Sequence, residues 1–142
     1  MATVTMTRET HDETVKEGIV LIDFWATWCP PCRQFGPIFE RSSEKHTDAV
    51  FAKVDTDAEQ ELAGMYGVTS IPTLVVYRDG IPVFGQPGAL PQAALEDLLK
   101  QVRELDMDSV REQYAQQLAA EEARMAQPAQ PGRKSSTDPT AW

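Results

Sequence analysis

Cysteine is scarce in this chain, with two in 142 residues, both inside Trp28-Cys29-Pro30-Pro31-Cys32. A small secreted domain held by disulfides spreads its cysteines along the chain, so that class is excluded. A structural zinc site wants four ligands, and the only histidines, His11 and His46, lie far from the pair in sequence. Basic residues are few: 13 Lys and Arg stand against 22 Asp and Glu, a net charge of −9. That balance argues against nucleic acid, whose phosphates need clustered cations. Long apolar runs are missing too. The longest, Ile19 to Trp25, is strand-length and contains Asp23, so no membrane span is expected. The start, Met1 to Met6, lacks a cationic segment followed by an apolar block and makes a poor signal peptide. The expectation is a soluble, cytoplasmic, monomeric protein. No Gly-rich nucleotide fingerprint is present, so no flavin or nicotinamide is expected on this chain.

Apolar residues make up 42% of the chain, enough for a core. Thr10-His11-Asp12-Glu13 reads as a capping box with Thr10 as N-cap, opening a short helix to about Lys16. Ile19 to Trp25 is a continuous β-branched run, as in a strand covered on both faces. A helix is predicted from about Pro30 to His46, kinked at Gly36-Pro37. Val50 to Asp55 reads as a second core strand, and Asp57 as the cap of a helix to about Tyr66. After Pro72, Thr73 to Tyr77 and Ile81 to Phe84 form a hairpin about Asp79-Gly80. Pro91 to about Leu105 closes the domain with one apolar face. The order strand–helix–strand–helix–strand–hairpin–helix is α/β: a central mixed sheet of four to five strands flanked by helices on both faces. Residues 1–105 are read as this domain and 106–126 as a helical extension. Residues 127–142, rich in Pro, Ser, Thr and Gly, are read as a disordered tail.

A Cys-x-x-Cys pair between a core strand and a helix start has one evident chemistry. Unpaired backbone N–H groups and the helix dipole favour a thiolate at Cys29, making it the nucleophile. Cys32, one turn further in, is expected to be the more buried, resolving thiol. Asp23 is either a surface carboxylate at a strand end or a carboxyl buried among apolar neighbours. In the second case its pKa rises, and it can take the proton of Cys32. Phe24 and Trp25 are read as core packing, and His11 and His46 as solvated.

The segment Asp23-Phe24-Trp25-Ala26-Thr27-Trp28-Cys29-Pro30-Pro31-Cys32-Arg33 resembles the active-site segment of thioredoxins. Lys53-Val54-Asp55, Ile71-Pro72-Thr73, Gly88-Ala89-Leu90 and Pro37 match further landmarks of that family, in order, over residues 3 to 105. Pro30 where thioredoxins usually have Gly, Thr27 where many have an acid, and the C-terminal extension depart from the pattern. The resemblance implies the thioredoxin fold and a redox-active Cys29–Cys32 disulfide, with no other cofactor and no metal. It implies that Asp23 serves as base, with Lys53 its tuning partner, although Lys53 read by itself is as well a solvated lysine. It implies a cis bond before Pro72, where the residues alone would favour trans. It also implies a docking rim of Trp28, Pro31, Ile71, Pro72, Gly88 and Ala89, at which the Ile71 backbone pairs with an extended client segment.

The expected function is therefore reduction of disulfide-containing client proteins by dithiol–disulfide exchange, with a flavin-containing thioredoxin reductase as electron donor. Two other readings stand beside it. A disulfide-forming oxidant or isomerase often carries His between its cysteines, and here neither intervening residue is polar. A co-chaperone that binds clients without redox chemistry would not need the intact pair, Asp23 and Pro72.

Overall fold

A computed structural model describes residues 2–126. They form β1 (Thr3–Thr5), α1 (Arg8–Val15), β2 (Ile19–Trp25), α2 (Pro30–Lys45), β3 (Val50–Asp55), α3 (Gln60–Met65), β4 (Thr73–Arg78), β5 (Ile81–Pro87), α4 (Gln92–Arg103) and α5 (Met107–Ala126). The chain divides into two compact units between Leu105 and Asp106. The expected tail at 127–142 lies outside the described residues.

In the first unit the sheet runs β1-β3-β2-β4-β5. The strands β1, β3 and β2 are parallel, while β4 is antiparallel to β2 and β5 to β4. Alternation along β2 sorts the core. Val20, Ile22 and Phe24 join Ala52, Val54 and Val75 under α1 and α3, where Val15, Leu62 and Ala63 cover them. Ile19 and Leu21 join Phe51, Leu74 and Val76 under α2 and α4, against Phe35, Phe39, Leu95 and Leu99. Each of the Val, Leu, Ile and Phe side chains among these contributes roughly 1.5–3 kcal/mol when fully buried. By the same alternation Asp23 of β2 and Lys53 of β3 share the α2 side of the sheet, as register partners.

Several local expectations are corrected. The first helix begins three residues earlier than its Thr10 cap implied: Thr7 is the N-cap, and the Thr10 hydroxyl accepts from the Thr7 N–H. The Thr7 hydroxyl accepts in turn from the Thr10 N–H, a local capping box one turn earlier, and Glu59 Oε1 adds a bond from the Arg8 N–H at 2.8 Å. Asp57 does not cap α3, whose N-cap is Glu59. The return strand extends beyond Phe84 to Pro87. His11 is buried, not solvated: its Nδ1 meets Asp12 Oδ1 at 2.7 Å and its Nε2 meets the Tyr66 hydroxyl, which meets that of Tyr77. His46 is half-buried between Glu96 Oε1 at 2.7 Å and Arg103 Nη2 at 2.9 Å. In the second unit, α5 starts where the Asp106 side chain accepts from the Ser109 N–H at 3.4 Å.

Candidate active site

The site forms where β2 ends and α2 begins. Residues 26–29 turn the chain, and Pro30 and Pro31 enter the helix at its first positions, where a missing N–H leaves nothing unpaired. Cys29 is the N-cap of α2 with extended backbone, and its Sγ accepts from the Cys32 N–H at 3.2 Å. Since the two prolines have no N–H, Cys32 supplies the first donor of the helix, and it points at the sulfur of its own partner. The cysteines form a disulfide with Cα atoms 5.2 Å apart.

Ile71, from the loop before β4, closes over the pair, its carbonyl oxygen 3.6 Å from Cys29 Sγ. The Ile71–Pro72 bond is cis, as the resemblance implied. The Pro72 carbonyl accepts from the Gly88 N–H at 2.8 Å, joining the two loops of the rim. Gly88 takes φ 106°, which only glycine adopts readily. Trp28 is 62% exposed, and its Nε1–H donates to Asp57 Oδ2 at 2.9 Å, which fixes the indole beside the cysteines. Pro31 and Ala89 are exposed as well. Of the expected rim, Trp28 lies in the turn after β2, Pro31 in the first turn of α2, Ile71 and Pro72 in the loop before β4, and Gly88 and Ala89 after β5; Pro72 is buried, and Ile71 packs on the cysteines.

The two cysteines are both buried, so the expected contrast between an exposed Cys29 and a buried Cys32 is not seen in this oxidised pair. Cys29 is 2% exposed and Cys32 6%. Ile71 packs on Cys29, whereas Cys32 borders an open recess on the α2 side. Trp25 differs too. Phe24 is core, but Trp25 packs with the cysteines, and its ring lies 5.1 Å from Lys53 Nζ. Asp57 and Trp25 are the site neighbours that sequence reasoning placed elsewhere. Strand alternation puts Trp25 on the same side as Asp23 and could have found it.

Asp23 is 1% exposed, and its Oδ1 has no hydrogen-bond partner. Loss of solvent pushes its pKa up to about 7, against the opposing pull of the Lys53 charge. A carboxyl in that range can both hold and release a proton near neutrality. Among the described residues no group of three His, Cys, Asp or Glu side chains could hold a metal ion.

The family model for thioredoxin matches residues 2–101. This chain belongs to the thioredoxin family. It is 55% identical over 119 residues to putative thioredoxin 2 of Streptomyces coelicolor, covering 83% of this chain and 89% of that one. Against the thioredoxin of Bacillus subtilis identity is 43% over 100 residues, covering 70% and 96%. A solved thioredoxin variant from Halobacterium salinarum superposes with a TM-score of 0.66 at 38% identity, covering 72% and 91%. The chain is a thiol–disulfide oxidoreductase with the thioredoxin fold, and its redox group is the Cys29–Cys32 disulfide. Among the described residues no helix is long and apolar enough to cross a membrane.

Proposed function

We propose that this thioredoxin reduces protein disulfides in two successive exchanges, with the cysteines in distinct roles. The observation that carries this reading is the Cys32 N–H aimed at Cys29 Sγ at the start of α2. A helix N-terminus favours negative charge, so the Cys29 thiol ionises first and attacks the client disulfide. One client sulfur leaves as a thiolate while the other stays joined to Cys29. Cys32, giving its proton to Asp23, then attacks Cys29, and the reduced client departs. Lys53 tunes Asp23 by opposing its desolvation.

The client docks on the rim of Trp28, Pro31, Ile71, Pro72, Gly88 and Ala89, with an extended segment along the Ile71 backbone. Electrons return from a flavoprotein thioredoxin reductase. A monomer in the cytoplasm, where such a reductase keeps thiols reduced, suits this cycle. Residues 1–105 are the working domain, and 106–126 an extension to it.

The roles are separated by two variants. Cys29→Ser abolishes reduction of an insulin disulfide, whereas Cys32→Ser accumulates a client mixed disulfide at Cys29. Normal turnover by Cys32→Ser overturns the assignment.

A further inference from the structure

The helix α3 is six residues long and opens at Glu59 without a side-chain cap. A helix that short does not hold itself, so its end must be fixed from outside. Tyr66, its last cap, does this. The Tyr66 ring packs on Phe24 of β2 with centroids 5.1 Å apart. Its hydroxyl lies between His11 Nε2 of α1 and, at 2.7 Å, the Tyr77 hydroxyl of β4. Further along the same loop, Ile71 packs on the cysteines. We infer that Tyr66 is a positioning residue, whose hydroxyl holds the base of the loop that presents Ile71 to a client. This rests on the reading that clients dock along the Ile71 backbone.

The hydrogen-bond directions follow from one end of the network. An ionised Asp12 carboxylate only accepts, so His11 Nδ1–H donates to it at 2.7 Å. Nε2 of the neutral ring then accepts from the Tyr66 O–H, and the Tyr66 oxygen accepts from the Tyr77 O–H. Of the two hydroxyls, that of Tyr66 serves both neighbours. Its loss strands the nitrogen of a buried histidine and the Tyr77 hydroxyl together.

The closure spans the segment that reaches the sulfurs. Tyr66 and Tyr77 stand 11 residues apart, with Ile71 and Pro72 midway between them. The N–H groups of Gly67 and Val68 return to the carbonyls of Gly64 and Ala63. Beyond them, the N–H groups of Thr69, Ser70 and Ile71 meet no backbone acceptor among the described residues, and Thr69 and Ser70 are exposed. The loop therefore takes its position from its ends. One end is Tyr66; the other is the start of β4, where the Pro72 carbonyl accepts from the Gly88 N–H at 2.8 Å. The hydroxyl link across the base fixes the first end to the strand that follows the second. A loop held in advance binds an extended segment with less ordering cost.

The test uses the full chain, fully reduced, and two disulfides. Insulin needs the docking surface, whereas hydroxyethyl disulfide is too small to lie along Ile71. Oxidation of the protein is followed by acid quench and alkylation, which gives second-order rate constants. Tyr66→Phe keeps the ring on Phe24 and removes the hydroxyl. It should slow the reaction with insulin about fivefold, the factor by which one lost hydrogen bond shifts an equilibrium. The reaction with hydroxyethyl disulfide should keep its wild-type rate. In the same variant the Gly88 amide, which reports on Pro72, should exchange faster with deuterium while the amides of β2 keep their protection. Tyr77→Phe, which breaks the closure and leaves Tyr66 on His11, carries the same readouts if Tyr66→Phe does not fold. An unchanged insulin rate, an equal loss with both disulfides, or protection lost throughout the sheet overturns the inference. A wild type that reduces the small disulfide and not insulin would instead remove the reading of client docking on which the inference rests.

Discussion

Asp23 and Lys53 are register partners across β2 and β3, yet the ammonium does not hold the carboxylate charged. Burial dominates, and the Asp23 pKa stands at about 7 against 3.8 for the free side chain. Above both values the folded state carries an ionised buried carboxyl that the unfolded chain keeps in water. The Asp23 contribution is therefore most favourable below about pH 4, falls as pH rises through this window, and reaches its full penalty above 7. The size is on the order of 4 kcal/mol.

Asp23→Asn removes the penalty. Its unfolding free energy at pH 8 should exceed that of the wild type by up to about 4 kcal/mol, and the gain should vanish near pH 3. Urea unfolding across pH checks this. A gain independent of pH would mean that the carboxyl is not the source. The same variant should resolve mixed disulfides more slowly at neutral pH.

Pro30→Gly restores one N–H at the helix start and frees the loop between the sulfurs. The added donor stabilises the Cys29 thiolate, and the added freedom favours the open dithiol. Both effects raise the reduction potential, on the order of 30 mV. Equilibration against glutathione measures it. A potential unchanged or more negative would show that neither effect operates here.

Glu96 organises the polar seam between α2 and α4. It accepts from the fully buried Ser42 hydroxyl at 2.8 Å and meets His46 Nε2 at 2.7 Å. Glu96→Ala leaves both without their partner and should cost about 2 kcal/mol in urea unfolding. Disulfide reduction by the folded variant should be unchanged. A loss below about 0.5 kcal/mol would mean that water replaces the carboxylate at no net cost.

A chain ending at Leu105 should fold and reduce insulin at near the full rate, because α4 already covers the sheet with Leu95, Leu99 and Val102. Its thermal midpoint should fall by a few degrees at most, the effect of about 1 kcal/mol in a domain of this size. Circular dichroism and a turbidity assay decide. Failure to fold would make the extension part of the core.

The sequence carried much of this plainly. The continuous run of β2, the hairpin at Asp79-Gly80 and the α4 stripe are local patterns, and local patterns determined them. The redox pair and the apolar setting of Asp23 were legible for the same reason. What was not legible depends on residues distant in the chain. Cys29 is as deeply placed as Cys32 because Ile71, 42 residues on, folds over it. His11 is buried because Tyr66 and Tyr77 close around it. The start of α1 was set by a local box after all, Thr7 with Thr10 rather than Thr10 with Glu13, and a threonine in the place of the usual acid hid it. Asp57 looked like a helix cap, and its turn instead presents it to the Trp28 indole.

The two outer strands have a consequence for a protein that handles partly opened clients. On one side β1 is three residues long, and on the other β5 carries Pro82 and Pro87, neither of which has an N–H to offer. An incoming strand finds no unbroken ladder to copy at either end of the sheet. A sticky, half-unfolded chain is thus denied a template for aggregation on the molecule that opens its disulfides.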